Sequence, residues 1–218
     1  MNKIALLNVS LISIGLLFAV NSAFAEELKP VKLLNPQVEK GKPLMQVLTD
    51  RSSSRSFSTE KLSVQELSNL LWAAFGVNRT DMGKRTAPSA LNWQEIDIYV
   101  ATADGLFLYD AKKHMLNPIL SQDVRALTGR QDFVKDAPVN LVYVADFSRM
   151  GKAAKDDKEL YSATDTGFIS QNVYLYCASE GLATVVRGSI DRQALAKVMK
   201  LRSDQKIILA QSVGYPKK

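Results

Sequence analysis

Apolar positions along the chain keep two different rhythms, and the changes between them mark out the elements. Val64, Leu67, Leu70, Leu71, Ala74 and Phe75 recur at helical spacing. Ser63-Val64-Gln65-Glu66 forms a capping box before them and Gly76 stops the run, which predicts a helix over 64–75 with one buried face. Residues 96–101 and 105–109 read as two strands joined through Asp104-Gly105, a hairpin. Val139 to Ala145 and Lys206 to Val213 are β-branched apolar runs of strand length, as central strands require. Between these two runs, a long helical stretch from Asp157 to Glu180 ends at Gly181. A short strand at Ala183 to Val186 and a helix from Asp191 to Leu201 follow it. Helices and strands mix without strict alternation, which favours an α+β fold over a doubly wound sheet.

The first 25 residues follow another grammar. Lys3 precedes an apolar stretch from Ile4 to Val20, and Ala23-Phe24-Ala25 stands before Glu26-Glu27, the small-x-small pattern of a secretory signal peptide. Asn8, Ser10 and Ser13 weaken the alternative of an uncleaved membrane anchor. No twin arginine precedes the apolar run, and no cysteine near its end offers a site for a lipid. The expectation is a periplasmic or secreted protein whose mature chain starts near Glu26. Residues 26–43, with Pro30, Pro36 and Pro43, read as an extended arm, and 44–218 as a single domain.

Composition narrows the chemistry. Of 218 residues, 46% are hydrophobic and 23% charged, a globular balance that excludes wholesale disorder and a multi-span membrane protein. One cysteine and one histidine preclude an intramolecular disulfide and a histidine- or cysteine-based zinc site. The net charge of +6 comes from scattered residues, with no basic run interleaved with aromatics of the kind a nucleic-acid groove needs. Cys177, among Tyr174, Tyr176 and Ala178, reads as a buried inert thiol, His114 as a turn residue and Trp72 as packing. Trp93 is open between core and pocket lining.

Two segments concentrate binding chemistry. Arg51-Ser52-Ser53-Ser54-Arg55-Ser56-Phe57, between two helical segments, places two guanidiniums and four hydroxyls in seven residues. Guanidiniums bind phosphate bidentately and small hydroxylated residues add donors, although a solvated polar loop has the same composition. Lys84 to Gln94, before the first hairpin strand, mixes small residues, amides and an aromatic, the usual lining of a site for a flat heterocycle.

Taken together these segments resemble the nitroreductase family of flavin proteins. The first loop is similar to its R-x-S-x-R-x-F phosphate motif and Pro88 to Gln94 to its P-S-x-x-N-x-Q segment. Asp136-Ala137-Pro138, Gln171-Asn172, Gly181 to Gly188 and Gly214-Tyr215-Pro216 continue the resemblance in the same order. Within the family the chain resembles the branch that includes the azoline-forming peptide dehydrogenases.

The resemblance implies a nitroreductase-like mixed sheet packed between helices, in a homodimer with flavin mononucleotide (FMN) at the interface. Arg51 and Ser53 would hold the phosphate, with Ser52 beside them also counted among the cofactor-binding residues. Arg55 would approach the N1 and O2 edge, where negative charge gathers on reduction. Pro88, Ser89 and Asn92 would reach the flavin from the partner subunit, and the main chain at Arg187 and Gly188 would lie at N5. Arg130 and Gln131 fall where the family often contacts the pyrimidine ring. Lys217 and Lys218 stand where it often has a further phosphate ligand, either as substitutes or as a frayed terminus.

The implied activity is hydride transfer through flavin between an electron donor and a small-molecule acceptor, neither of which the sequence identifies, with no protein acid or base as catalytic residue. Nicotinamide nucleotides are scarce outside the cytoplasm, which leaves the donor open. A protein exported unfolded must also load flavin after export. The competing expectation is therefore a non-catalytic periplasmic binding protein that kept the fold but not the flavin.

Overall fold

The computed structural model describes residues 28–218. The signal-peptide assignment to residues 1–25 lies outside them. The elements in chain order are β1 (Val31–Lys32), α1 (Leu44–Asp50), α2 (Val64–Phe75), β2 (Val77–Arg79), β3 (Lys84–Arg85), β4 (Ile96–Thr102), β5 (Gly105–Asp110), β6 (Met115–Leu120), β7 (Val139–Asp146), α3 (Lys155–Glu180), β8 (Ala183–Arg187), α4 (Arg192–Val198) and β9 (Gln205–Gly214). Seven strands form one sheet in the order β1-β6-β5-β4-β7-β9-β8, every pairing of which is antiparallel. The α+β class is as the sequence predicts.

The sheet is covered on both faces, and the alternation of side chains along each strand explains how. On β7, Leu141, Tyr143 and Ala145 enter a core shared with Leu70, Leu71, Ala74 and Phe75 of α2 and Ile169, Val173 and Cys177 of α3. Val142 and Val144 point the other way, into a core with Leu195 of α4, Ile190 and Met199. A strand buried along its whole length needs apolar residues at consecutive positions, which is why Val139–Asp146 reads as an uninterrupted run.

Local chemistry sets the ends of the helices. Ser63 Oγ accepts from Glu66 N at 3.2 Å and Glu66 accepts from Ser63 N at 2.8 Å, the capping box in full. At Gly76, a Cβ would run into Trp72 of the preceding turn. Helix α4 is shorter than the periodicity predicts: Lys200 takes φ 54° and turns the chain before Leu201.

The arm does more than lead into the domain. Its β1 pairs with β6, and His114, at φ 48°, fastens it there. His114 O accepts from Leu33 N at 3.1 Å, its Nε2 meets Leu34 O at 3.0 Å and its Nδ1 meets Tyr109 Oη at 2.9 Å. Burial lowers the His114 pKa, which favours the neutral ring that donates to one partner and accepts from the other.

The β4–β5 turn depends on Gly105, at φ 148°, where a Cβ would press on the Leu120 carbonyl and on Leu28. Gly105→Ala should therefore destabilise the protein by about 2 kcal/mol, read as a lower urea midpoint with unchanged slope.

Candidate functional site

The loop that leaves α1 is held at three points. Phe57 is buried, bridges to Pro216 and lies 5.8 Å from the Phe133 ring. Ser54 N–H donates to Thr184 O of β8 at 2.9 Å. Ser53 Oγ lies 2.8 Å from Tyr174 Oη, which also accepts from Val186 N at 3.0 Å. One phenol oxygen thus joins the loop, α3 and the end of β8. The Arg51 guanidinium stacks 5.5 Å from the centre of the same Tyr174 ring. Ser52 and Arg55 are exposed. Among the described residues neither Arg51 nor Arg55 forms an ion pair, so both cations are open to an anion.

At the end of β8 the Arg187 side chain turns inward and is 4% exposed. It donates from Nη1 to Thr128 O and from Nη2 to Asn140 Oδ1, each at 2.7 Å. Burial lowers its pKa to about 10, still well above neutrality, so a charged guanidinium sits in the interior. Gly129 leaves it room, since a Cβ there would collide with Nη1. With the side chain committed to this network, Arg187 has only its main chain to offer a ligand. Gly188 beside it is exposed, and a Cβ there would touch only Leu209, at 3.6 Å. Arg130 lies next to this segment, donating its N–H to Ser189 O at 3.0 Å and pairing with Asp191 at 3.6 Å. Gln131 Oε1 is buried without a partner among the described residues. Lys217 N–H reaches Ser56 O at 3.4 Å, which returns the end of the chain to the same loop.

The second predicted segment is strained. Leu91, Asn92 and Gln94 have φ of 48°, 56° and 48°, in the left-handed region that side chains larger than glycine rarely enter. The surroundings hold them there. Ala90 N–H donates to Asp165 Oδ2 at 2.9 Å and Gln94 N–H to Ser89 Oγ at 2.8 Å. Ser89 Oγ donates to Glu95 Oε2 at 3.2 Å, and Arg85 Nε to Gln94 Oε1 at 2.8 Å. Pro88 and Asn92 are exposed, Leu91 is 83% exposed, and Trp93 packs edge-on against Tyr161 at 5.8 Å. Glu95 and Asp165 are 0% and 2% exposed. Burial first, and then the Asp165 charge, pushes the Glu95 pKa up to about 7.

The structure therefore brings Arg51, Ser53 and Val186 together at Tyr174, with Arg187 and Gly188 next along the chain. Pro88, Ser89 and Asn92 form a separate group anchored at Asp165. Nine residues, or about 13 Å of helical rise, separate the two anchors along α3. Tyr174, Glu95 and Asp165 are the residues that motif reasoning passes over. Asp165 carries a signal all the same, as an acid in phase with Ile169, Val173 and Cys177 on the buried face of the helix. Cys177 is buried and its thiol pKa is raised by that burial, as expected of an inert thiol.

Comparison with known proteins adds a family. The profile of the nitroreductase family matches residues 48–215. A Methanocaldococcus jannaschii protein that bears the nitroreductase name is 32% identical over 177 residues, 77% of this chain and 88% of that one. A crystal structure of a Ralstonia eutropha protein that bears the same name is 42% identical with a TM-score of 0.84, covering 94% of this chain and 97% of that chain. The FMN reductase [NAD(P)H] of Bacillus subtilis is 24% identical over 183 residues, 78% of this chain and 64% of its own length.

Removing the Tyr174 hydroxyl should untie the first loop. Tyr174→Phe leaves Val186 N–H without its partner, a cost of about 1–3 kcal/mol. Chemical denaturation should report that loss, and hydrogen exchange in residues 51–57 should quicken.

Proposed function

The chain belongs to the nitroreductase family, and from that premise we propose that it is an exported FMN-dependent oxidoreductase acting as a homodimer. The observation that carries this reading is the pair of guanidiniums, Arg51 and Arg55, on a loop tied through Tyr174 and Thr184 to the strand that ends at Arg187 and Gly188. Two cations without carboxylate partners, small hydroxylated neighbours and an open face at Gly188 fit a phosphorylated planar cofactor. Bound flavin would supply hydride acceptance and release at N5.

In this reading Arg51, Ser52 and Ser53 bind the phosphate, and Arg55 offers a fixed positive charge to the pyrimidine edge. The main chain of Arg187 and Gly188 is assigned to the N5 side. Pro88, Ser89 and Asn92 serve the partner's cofactor, which agrees with their separation from Arg51 along α3. Because Ser89 Oγ donates to Glu95, Ser89 acts there as an acceptor or through its main chain. The outward stripe of α3, with Leu160, Thr164, Phe168 and Gln171 exposed and Gly167 bare, supports a two-fold interface. The substrates are a small-molecule acceptor and an electron donor suited to the periplasm or the exterior. The finer assignment, to the branch of the azoline-forming peptide dehydrogenases, rests on sequence resemblance alone.

Mature protein reconstituted with FMN should carry about one flavin per subunit, read from its visible absorbance, and should scatter light as a dimer. Arg51→Ala should weaken binding by at least about tenfold, since a charge-assisted hydrogen bond contributes about 1.5–3 kcal/mol. Folded protein that stays colourless with FMN would favour the non-catalytic binding protein instead.

Arg55→Gln separates binding from redox tuning. The amide keeps a donor but removes the charge, so flavin should bind only several-fold more weakly while its two-electron potential falls. About 30 mV corresponds to roughly 1.4 kcal/mol of lost stabilisation. Spectroelectrochemistry of the two proteins measures the shift. Lost flavin with an unchanged potential would move Arg55 to the phosphate.

A further inference from the structure

We propose that Glu95 and Asp165 share a proton that latches the Pro88–Gln94 loop in its strained shape, so that rising pH releases the loop and weakens flavin binding. The flavin part of this inference rests on the function proposed above; the latch itself rests on geometry. Both carboxyls are buried, and each holds a different point of the loop, Glu95 the Ser89 hydroxyl and Asp165 the Ala90 N–H. Glu95 Oε1 is buried and accepts no hydrogen bond from the described residues. An oxygen in that position beside a second carboxylate is accounted for when it carries the proton and donates it to Asp165.

Among the described residues no cation forms an ion pair with Glu95, and Arg85, from β3, is turned to Gln94 Oε1 and Phe75 O. From α3, Asp165 is the charged group that faces Glu95. From the end of β7 and the turn after it, Asp146 and Arg149 approach on the main-chain side, where Asp146 N–H binds Glu95 O and Arg149 Nη1 binds Gln94 O. Their side chains are occupied with Ser148, Arg202 and Asp97. The loop itself adds the neutral Ser89. Ionising Glu95 therefore sets two buried anions against each other at the two anchors of the loop, and Leu91, Asn92 and Gln94 lose what keeps them at positive φ.

The sign follows from the direction of the shift. The folded protein holds the Glu95 proton more tightly than the unfolded chain does, so the contribution of the latch is complete below the ordinary carboxylate range. It is lost as pH rises through the folded value of about 7.

The test compares the full mature protein with Glu95→Gln and Asp165→Asn. Gln imitates the protonated acid at every pH, donating to Asp165 and accepting from Ser89. Asn accepts from Ala90 and donates to an ionised Glu95, so it removes the repulsion by the opposite route. FMN affinity of the wild type, from fluorescence quenching, should fall about tenfold more than that of either variant between about pH 6 and pH 8.5. Comparison with the variants cancels the ionisation of the FMN phosphate itself. Hydrogen exchange of residues 88–94 in flavin-free protein, wild type against variant at each pH, should show the same divergence. Parallel profiles in both measurements overturn the proposal. Divergent exchange with no FMN binding by any of the proteins keeps the latch and overturns the flavin reading.

Discussion

Helix α3 has to cover one face of the sheet with a side that is only partly apolar, and the placement of both loops follows from how its polar groups are satisfied. Ile169, Val173 and Cys177 bury without cost, but Ser162, Asp165, Thr166, Ser170 and Tyr174 are buried on the same side. A buried polar group without a partner costs more than a hydrogen bond gains. The Ser170 hydroxyl turns back to Gly167 O, Thr166 Oγ1 has no partner among the described residues, and Asp165 and Tyr174 are satisfied from outside the helix. Asp165 draws Ala90, and Tyr174 draws Ser53 and Val186. Ser170 O receives Gln211 from β9, whose Oε1 accepts from Tyr143 at 2.6 Å. The two candidate loops are therefore docked at chosen points along a rigid rod, and the distance between them is built into the helix.

Much of this was legible because it is local. The capping box at Ser63, the Asp104-Gly105 turn and the uninterrupted run of β7 each state their structure within a few residues. Strand β6 was not legible, since Asn117 and Pro118 break its alternation; Pro118 lies beside a ladder irregularity on β5 and beyond the two residues that β1 pairs. The arm strand β1 has two residues and owes its pairing to His114, which lies far off in sequence. The candidate site divides along the same line. Arg51, Ser53 and Arg55 declare themselves as a motif, whereas Tyr174, Glu95 and Asp165 matter through partners tens of residues away. Arg187 shows the reverse case: its motif position is informative, but its charge is spent inside on Thr128 and Asn140.

The two loops also differ in mechanical character. The first is held by a buried ring at Phe57 and by hydrogen bonds to β8 and Tyr174, with no left-handed residue within it. The second stores strain at three side-chain-bearing positions and is anchored on two buried carboxyls. A loop of the first kind yields gradually to perturbation. One of the second kind has a conformation to lose.

The hydrogen bonds of the first loop have one more consequence. Strand β8 is the last of its sheet, and Thr184 O and Val186 N–H point away from β9, toward the open edge. Ser54 and Tyr174 occupy just these groups, as β1 occupies the edge of β6 at the other end. An unpaired edge carrying Val185 and Val186 is a template for joining another chain. The segment that would bind a ligand thus also blunts an aggregation-prone border, so loosening it for the sake of a larger ligand carries a penalty in solubility that no measure of affinity would reveal.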